Sequence, residues 1–290
     1  MQIIPNSYYS SVADIHYLQK TKDRWAKKSE LPGISSDLDE QFENVKATCL
    51  PYKNEYVGNK SYKEAVSGHY GPGFGYIEAQ ALHSVIRFYK PQKIIEVGSG
   101  VSTFCSTAAL SLNEKETSSK TQFVSIEPYP SDKLKAVKNI TLIEQDVQAV
   151  PIDVLTDLGE NDLIFIDSSH TVKPGSDVNY LILEILPRLE EGVIVHFHDI
   201  FLPFDYQRDV LENFFQWCET SLLRAFLVNN KKVKILFCLS QLHYDRKESL
   251  KEIFPEYNPQ SDNNGLIYGI YKPFETISKH FPASIYIQIL

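Results

Sequence analysis

Short runs of consecutive apolar residues alternate, along most of this chain, with stretches whose apolar positions recur every three or four residues. Ile94-Ile95-Glu96-Val97, Phe123-Val124-Ser125-Ile126, Ile140-Thr141-Leu142-Ile143, Leu163-Ile164-Phe165-Ile166 and Val193-Ile194-Val195 are of the first kind. They are short for helices and too uniformly apolar for strands with one wet face, so strands buried on both sides are expected. Between them Val101, Phe104, Ala108 and Ala109 recur at helical spacing, and helices are expected over residues 178–189 and 207–219. Two further strands are expected at 233–237 and 266–271, making seven. Residues 284–290 alternate apolar and polar positions and read as either an edge strand or a contact with a second copy. Repeated strand–helix units of this kind imply an α/β fold: a doubly wound, seven-stranded, mostly parallel sheet.

The first 60 residues are more polar. Helices are expected over 12–28 and from near Asp37, where Asp37 and Glu40 offer a capping box; Ser61 and Glu64 offer another. Four glycines then fall within residues 68–75, a flexible loop running into an amphipathic helix at 76–89 that Pro91 ends. The expected organisation is a helical N-terminal extension, 1–64, followed by one α/β domain, 65–290.

The run ending at Val97 stops at Gly98-Ser99-Gly100 before a helical pattern begins. Strand, tight turn and helix N-terminus in this order make a nucleotide pocket, because glycine lets the backbone turn sharply and approach a ligand. Glu96 would repel a pyrophosphate but suits a cationic or hydroxyl-bearing ligand, and Thr103 stands where a dinucleotide fingerprint has its third glycine. The stretch resembles the Glu-x-Gly-x-Gly motif of class I S-adenosylmethionine-dependent methyltransferases, whose fold is Rossmann-like. That resemblance covers about residues 65–272. It implies S-adenosylmethionine as cofactor, held by Glu96, Gly98, Ser99 and Gly100.

Ligands of open α/β sheets bind beyond the carboxyl ends of the strands, and five successive strands here end in polar groups: Glu96, Glu127, Gln145-Asp146, Asp167 and His198-Asp199. Glu127 is expected on the ribose hydroxyls and Asp146 beside the adenine. Asp167 is expected to border the cofactor as well as a metal. Asp162 to His170 and Gly192 to Asp199 bring Asp, Asp and His to one cleft, an oxygen and nitrogen set suited to a divalent ion. Here the resemblance narrows to metal-dependent O-methyltransferases of the catechol and macrolide-sugar types. It implies Asp167, His198 and Asp199 as metal ligands and His170 as the catalytic base. His198 stands where that pattern has a carboxylate, which shifts preference from Mg²⁺ toward Mn²⁺ or Fe²⁺, and a metal-free variant stays open. Strand alternation puts His196 and His198 on one side and Asp199 on the other; His196 is expected to be a core residue. Residues 200–206 are either an acceptor wall or a packed turn, and the 68–75 loop is a candidate lid.

Composition narrows the partners. With 29 basic against 37 acidic residues the net charge is −8, which disfavours a nucleic-acid or anionic-membrane surface. Four separated cysteines with no Cys-x-x-Cys point to a reducing, cytoplasmic setting, and no stretch reaches the roughly 18 apolar residues of a membrane span. The implied reaction is methylation of a small hydroxyl-bearing acceptor, a sugar or secondary metabolite, with a second copy of the chain as the other candidate partner. The rivals are an NAD-dependent oxidoreductase or epimerase, a metal hydrolase or oxygenase using His196, His198 and Asp199, and a nucleotide-sensing interaction module.

Overall fold

The computed structural model describes residues 12–71, 73–213, 216–261, 264–267 and 279–290. Five helices come first: α1 (Ile15–Lys20), α2 (Lys22–Trp25), α3 (Leu38–Cys49), α4 (Lys53–Tyr56) and α5 (Lys60–Ser67). The α/β part runs α6 (Tyr76–Tyr89), β1 (Lys93–Val97), α7 (Val101–Thr117), β2 (Gln122–Ile126), α8 (Asp132–Lys135), β3 (Thr141–Ile143) and α9 (Ile152–Thr156). It continues with β4 (Leu163–Ile166), α10 (Asp177–Tyr180), β5 (Ile194–His198), α11 (Glu219–Leu227), β6 (Val233–Cys238), α12 (Leu239–Asp245), α13 (Lys247–Ile253) and β7 (Ser284–Ile289). A π turn at Leu181–Ile185 and a 3₁₀ turn at Leu186–Arg188 extend α10, so the helix expected over 178–189 is present but irregular.

The seven strands lie in the order β3-β2-β1-β4-β5-β7-β6, all parallel except β7, which runs antiparallel to both neighbours. Side chains alternate between two cores, as the pleat requires. Ile94, Phe123, Leu163, Phe165, Ile194 and Tyr286 face α3, α6 and α7. Ile95, Val124, Ile164, Ile166, Val195, Phe197 and Ile287 face the helical segments that follow β4 and β5. Both faces are therefore dry, which explains the nearly unbroken apolar runs.

The N-terminal helices join the first core through Val45, Cys49, Tyr56 and Tyr62. From α3, the Asn44 amide donates to the Leu236 carbonyl (3.0 Å) and Gln41 Oε1 accepts from Cys238 N–H (2.8 Å), bracing the outermost strand. Asp37 caps α3 through the N–H groups of residues 39 and 40, as expected. The region expected as one helix over 12–28 is instead the two short helices α1 and α2. Asn59, not Ser61, occupies the cap position of α5.

Two expectations fail in the last third. Residues 207–213 form turns and α11 begins only at Glu219, so no helix spans 207–219 among the described residues. There Val210 and Leu211 pack with Leu266 against Leu18 and Trp25, a local cluster that satisfies their hydrophobicity without helical order. The seventh strand is Ser284–Ile289 rather than 266–271; Leu266 and Ile267 lie in no strand, and 268–271 fall outside the described residues. Nor is it an edge strand, because it sits between β5 and β6. Ile287 is fully buried there. Ile287→Ala is accordingly expected to cost about 2–5 kcal/mol in urea denaturation, the range for a deleted core side chain; a loss under about 0.5 kcal/mol, typical of exposed positions, would restore the edge-strand reading.

Candidate active site at the carboxyl edge

Strand order reverses direction of growth between β1 and β4, and at such a switch point a crevice opens beyond the strand ends. The turn after β1 is built for close approach. Gly98 has φ 82°, and a Cβ there would meet the Asp167 carbonyl oxygen at 1.8 Å. Gly98 N–H donates to Ile126 O (3.0 Å) and Asp167 N–H donates to Val97 O (2.9 Å), which locks the three strand ends together. Above the turn, Gly71 of the 68–75 loop, with φ 150°, comes so near Gly100 that a Cβ on Gly71 would lie 3.0 Å from the Gly100 Cα.

Glu96 takes a different part from the one expected. It is fully buried beneath the turn, accepting from Ser102 Oγ (2.8 Å), Thr103 Oγ1 (2.5 Å) and Ser125 Oγ (3.4 Å). Thr103 Oγ1 also accepts from Gly100 N–H (3.0 Å), so the residue replacing the third glycine ties the turn to the strand. In this structure Glu96 presents no exposed surface and shapes the turn from below. Ser99 and Glu127 stand at the turn itself, with Ser99 N–H donating to Glu127 Oε2 (3.2 Å) and Tyr129 N–H to Glu127 Oε1 (2.9 Å). Asp146 is exposed beyond β3, and its side chain caps nothing.

Next to this turn, ionisable groups form a chain. His198 Nδ1 lies 3.3 Å from Asp167 Oδ1 and 3.7 Å from Asp199 Oδ2, with its Nε2 3.9 Å from Glu78 Oε1. His170 Nε2 lies 3.3 Å from Asp167 Oδ1 and 3.5 Å from Asp199 Oδ2, with its Nδ1 2.7 Å from Glu219 Oε2. Two histidines, each backed by a buried glutamate, therefore enclose two aspartates. Asp199 reaches this face because its φ of 54° turns the chain as β5 ends, which overrides the alternation expected of a regular strand. His170 also has a positive φ, 56°. Non-glycine residues in this region cost of order 1–3 kcal/mol and concentrate at functional sites.

Electrostatics within the cluster follow from burial and charge. Burial alone would raise the Asp167 carboxyl, but the two histidines hold it well below the usual range. Burial disfavours charge on His198, yet Asp199 and Asp167 push it up to about 9; the same contest, with Asp167 and Glu219, places His170 well above an ordinary imidazole. Burial raises both glutamates, Glu78 and Glu219. Ligand atoms of Asp167, His170 and Asp199 all lie within 4.8 Å of one another. Two aspartate carboxylates and two imidazoles converge here, and the Asp167 and Asp199 side chains keep 22% and 23% of their surface open. Such a set fits a divalent cation. Both histidines face the two aspartates, His170 through Nε2 and His198 through Nδ1, and the His198 ring also lies against Phe74, ring centroids 4.9 Å apart.

His196 is the core residue expected, stacked between Phe165 and Tyr286 at 4.3 and 4.0 Å and bonded to Ser284 Oγ (3.0 Å). Residues unforeseen from sequence are Glu78, Trp217 and Glu219. An acid in the first turn of the apolar helix at 76–89 was a usable signal for Glu78. Trp217, whose ring lies 4.6 Å from that of His170, and Glu219 gave none.

Residues 95–200 match a protein-family model described as a methyltransferase domain. An uncharacterised protein of Archaeoglobus fulgidus is 29% identical over 182 residues, which is 54% of this chain and 74% of that one. Among solved structures, the chain resembles the S-adenosylhomocysteine-bound methyltransferase PaMTH1 of Podospora anserina, with 14% identity, 100% and 99% of the two chains covered and a TM-score of 0.42. It also resembles an O-methyltransferase of Bacillus cereus in complex with S-adenosylhomocysteine, with 13% identity, 96% and 100% covered and a TM-score of 0.43. The family match spans β1 through β5 and includes the glycine turn and the aspartates of the cluster. The matched stretch lies in a seven-stranded sheet in which β7 alone runs antiparallel.

Burial sets the Glu96 carboxyl up at about 8, with Asp167 adding to the effect and the three hydroxyls opposing it. The folded protein then keeps the Glu96 proton to about pH 8, whereas the unfolded chain releases it near 4.5. Stability from this group is full below about pH 4.5 and falls as pH rises through 8, by on the order of a few kcal/mol. Glu96→Gln, which imitates the protonated form, should melt higher than wild type at pH 8–9, with the gap closing toward pH 5. Equal melting curves across this range would show that Glu96 is not buried as a protonated acid.

Proposed function

We propose that this protein transfers the methyl group of S-adenosylmethionine to a hydroxyl oxygen of a small acceptor, assisted by a divalent cation. The observation that carries the reading is the adjacency of the Gly98–Gly100 turn and the Asp167–His170–Asp199 cluster, which would let one hold the cofactor and the other handle the proton. The Gly98–Gly100 turn would carry the methionine end of the cofactor, Glu127 its ribose and Asp146 the edge of its adenine. Methyl transfer is an in-line displacement at a carbon already bearing a good leaving group, so the protein's task is to align the acceptor oxygen and take its proton.

Asp167, Asp199 and His198 would hold the cation; Mn²⁺ or Fe²⁺ suits that donor set better than Mg²⁺. When bound, it would neutralise the two carboxylates and lower the pKa of the acceptor hydroxyl. The cation would also offset the carboxylates that keep His170 protonated, leaving its ring, which lies against Trp217, neutral and able to receive the proton. Phe201, its ring centroid 6.4 Å from that of Trp217, extends an apolar wall on the same side, the role considered for residues 200–206. The 68–75 loop would cover the cofactor, with Gly71 on the glycine turn and Phe74 against His198. Among the described residues no helix is long and apolar enough to cross a membrane, and the four free cysteines suit the cytoplasmic setting read from the sequence.

Calorimetry with S-adenosylmethionine and NAD⁺ side by side tests the cofactor: binding of the first alone is expected, and binding of NAD⁺ alone would return the oxidoreductase reading. Glu127→Ala should lose roughly 1–3 kcal/mol of affinity for S-adenosylmethionine, the worth of a charge-assisted hydrogen bond. Equal binding would remove Glu127 from the ribose. With any hydroxylated acceptor that releases S-adenosylhomocysteine, His170→Ala should lower turnover by about 10²–10⁴-fold and leave cofactor affinity intact, as for loss of a general base. Chelation should abolish the same turnover; full activity in chelator would leave His170 acting without metal.

A further inference from the structure

Glu219 is buried to 1% exposure and lies 49 residues from His170 in sequence, yet the two hold each other at several points. The Cys218 and Glu219 N–H groups both donate to the His170 carbonyl, at 3.0 and 3.3 Å, and Glu219 Oε2 sits 2.7 Å from His170 Nδ1. The first turn of α11 thus holds the backbone of His170 in its left-handed conformation and grips its ring as well. A buried carboxylate kept only for packing would be an expensive choice, since desolvating it costs several kcal/mol unless its oxygens are matched. Here Oε1 has no hydrogen-bond partner among the described residues. What the position gains is a place at the start of a nine-residue helix, where backbone N–H groups favour negative charge, and one strong contact to an imidazole.

We propose that Glu219 is a positioning residue: it accepts the Nδ1 proton of His170 and thereby fixes Nε2 as the nitrogen turned toward Asp167 and Asp199. A histidine ring has two nitrogens, and the bond made by one decides which task is left to the other. Without the carboxylate, the ring could flip and present Nδ1 or a proton where the acceptor or cation has to meet a lone pair. The proposal rests on the reading of His170 as the working histidine of the site, but its geometry stands apart from the reaction catalysed.

Nitrogen-correlated NMR of the full-length ¹⁵N-labelled protein tests it without an acceptor, the His170 signals being assigned by their loss in His170→Gln. The wild type is expected to show an exchange-protected proton on His170 Nδ1. Glu219→Gln, whose carbonyl still accepts, should keep that proton; Glu219→Met should lose it while retaining its melting temperature and its affinity for S-adenosylhomocysteine. Absence of the proton in wild type, or its persistence in Glu219→Met, overturns the proposal. If Glu219→Met fails to fold, the wild-type spectrum and Glu219→Gln decide.

Discussion

The spacing between the end of β1 and the end of β4 governs the carboxyl edge of this sheet. The Asp167 carbonyl fills the volume where a side chain on Gly98 would be, and the Asp167 N–H is bonded to Val97. Because β1 and β4 are in parallel register up to Val97 and Ile166, this contact is the next step of the ladder carried past the last pair. It brings the Gly98–Gly100 turn directly against the residue whose carboxylate anchors the acid–histidine cluster. No side chain larger than hydrogen at position 98 allows both, which is why the glycine is needed there and not merely convenient.

From that contact the remaining features take their places. Glu96, one step back on β1 and pointing to the other core, fastens the start of α7 through Ser102 and Thr103, so the turn is held from below. The loop carrying Gly71 and Phe74 holds it from above and reaches across to His198. On the β4–β5 side, His170 and Asp199 accept unfavourable backbone conformations to face Asp167. The cluster they form joins two partly open aspartates to two histidines, each histidine backed by a buried glutamate.

What could be read in advance and what could not divide along the range of the interactions. The strands around Ile95, Val124, Ile164 and Val195 were legible because burial on both faces writes itself into consecutive residues. That Gly98, Glu127, Asp167 and Asp199 would gather at one edge was legible, because each follows or ends a strand of a mostly parallel sheet. The helix expected over 207–219 was not a helix because a few apolar residues, Val210 and Leu211 among them, found a distant partner in Leu266. The insertion of β7 between β5 and β6 depends on pairing Ile285 with Phe197 and with Cys238, and alternation in a segment reports that it is a strand but not beside which one. Glu219 was invisible for the same reason: its partner is His170, and nothing near it in sequence marks it. Glu96 was visible, but its bonds to the hydroxyls of Ser102 and Thr103 were not, since a carboxylate at a turn looks alike in sequence whatever lies beneath it.

Whether cofactor and cation share this edge is measured most directly by diffraction from crystals grown with S-adenosylhomocysteine and Mn²⁺, with anomalous data collected for manganese. The expected map has the nucleoside lying along Gly98–Gly100 with its ribose at Glu127, and a single anomalous peak between Asp167 and Asp199. S-adenosylhomocysteine bound away from that turn, or a map empty of anomalous signal between the two aspartates, would contradict the joint site.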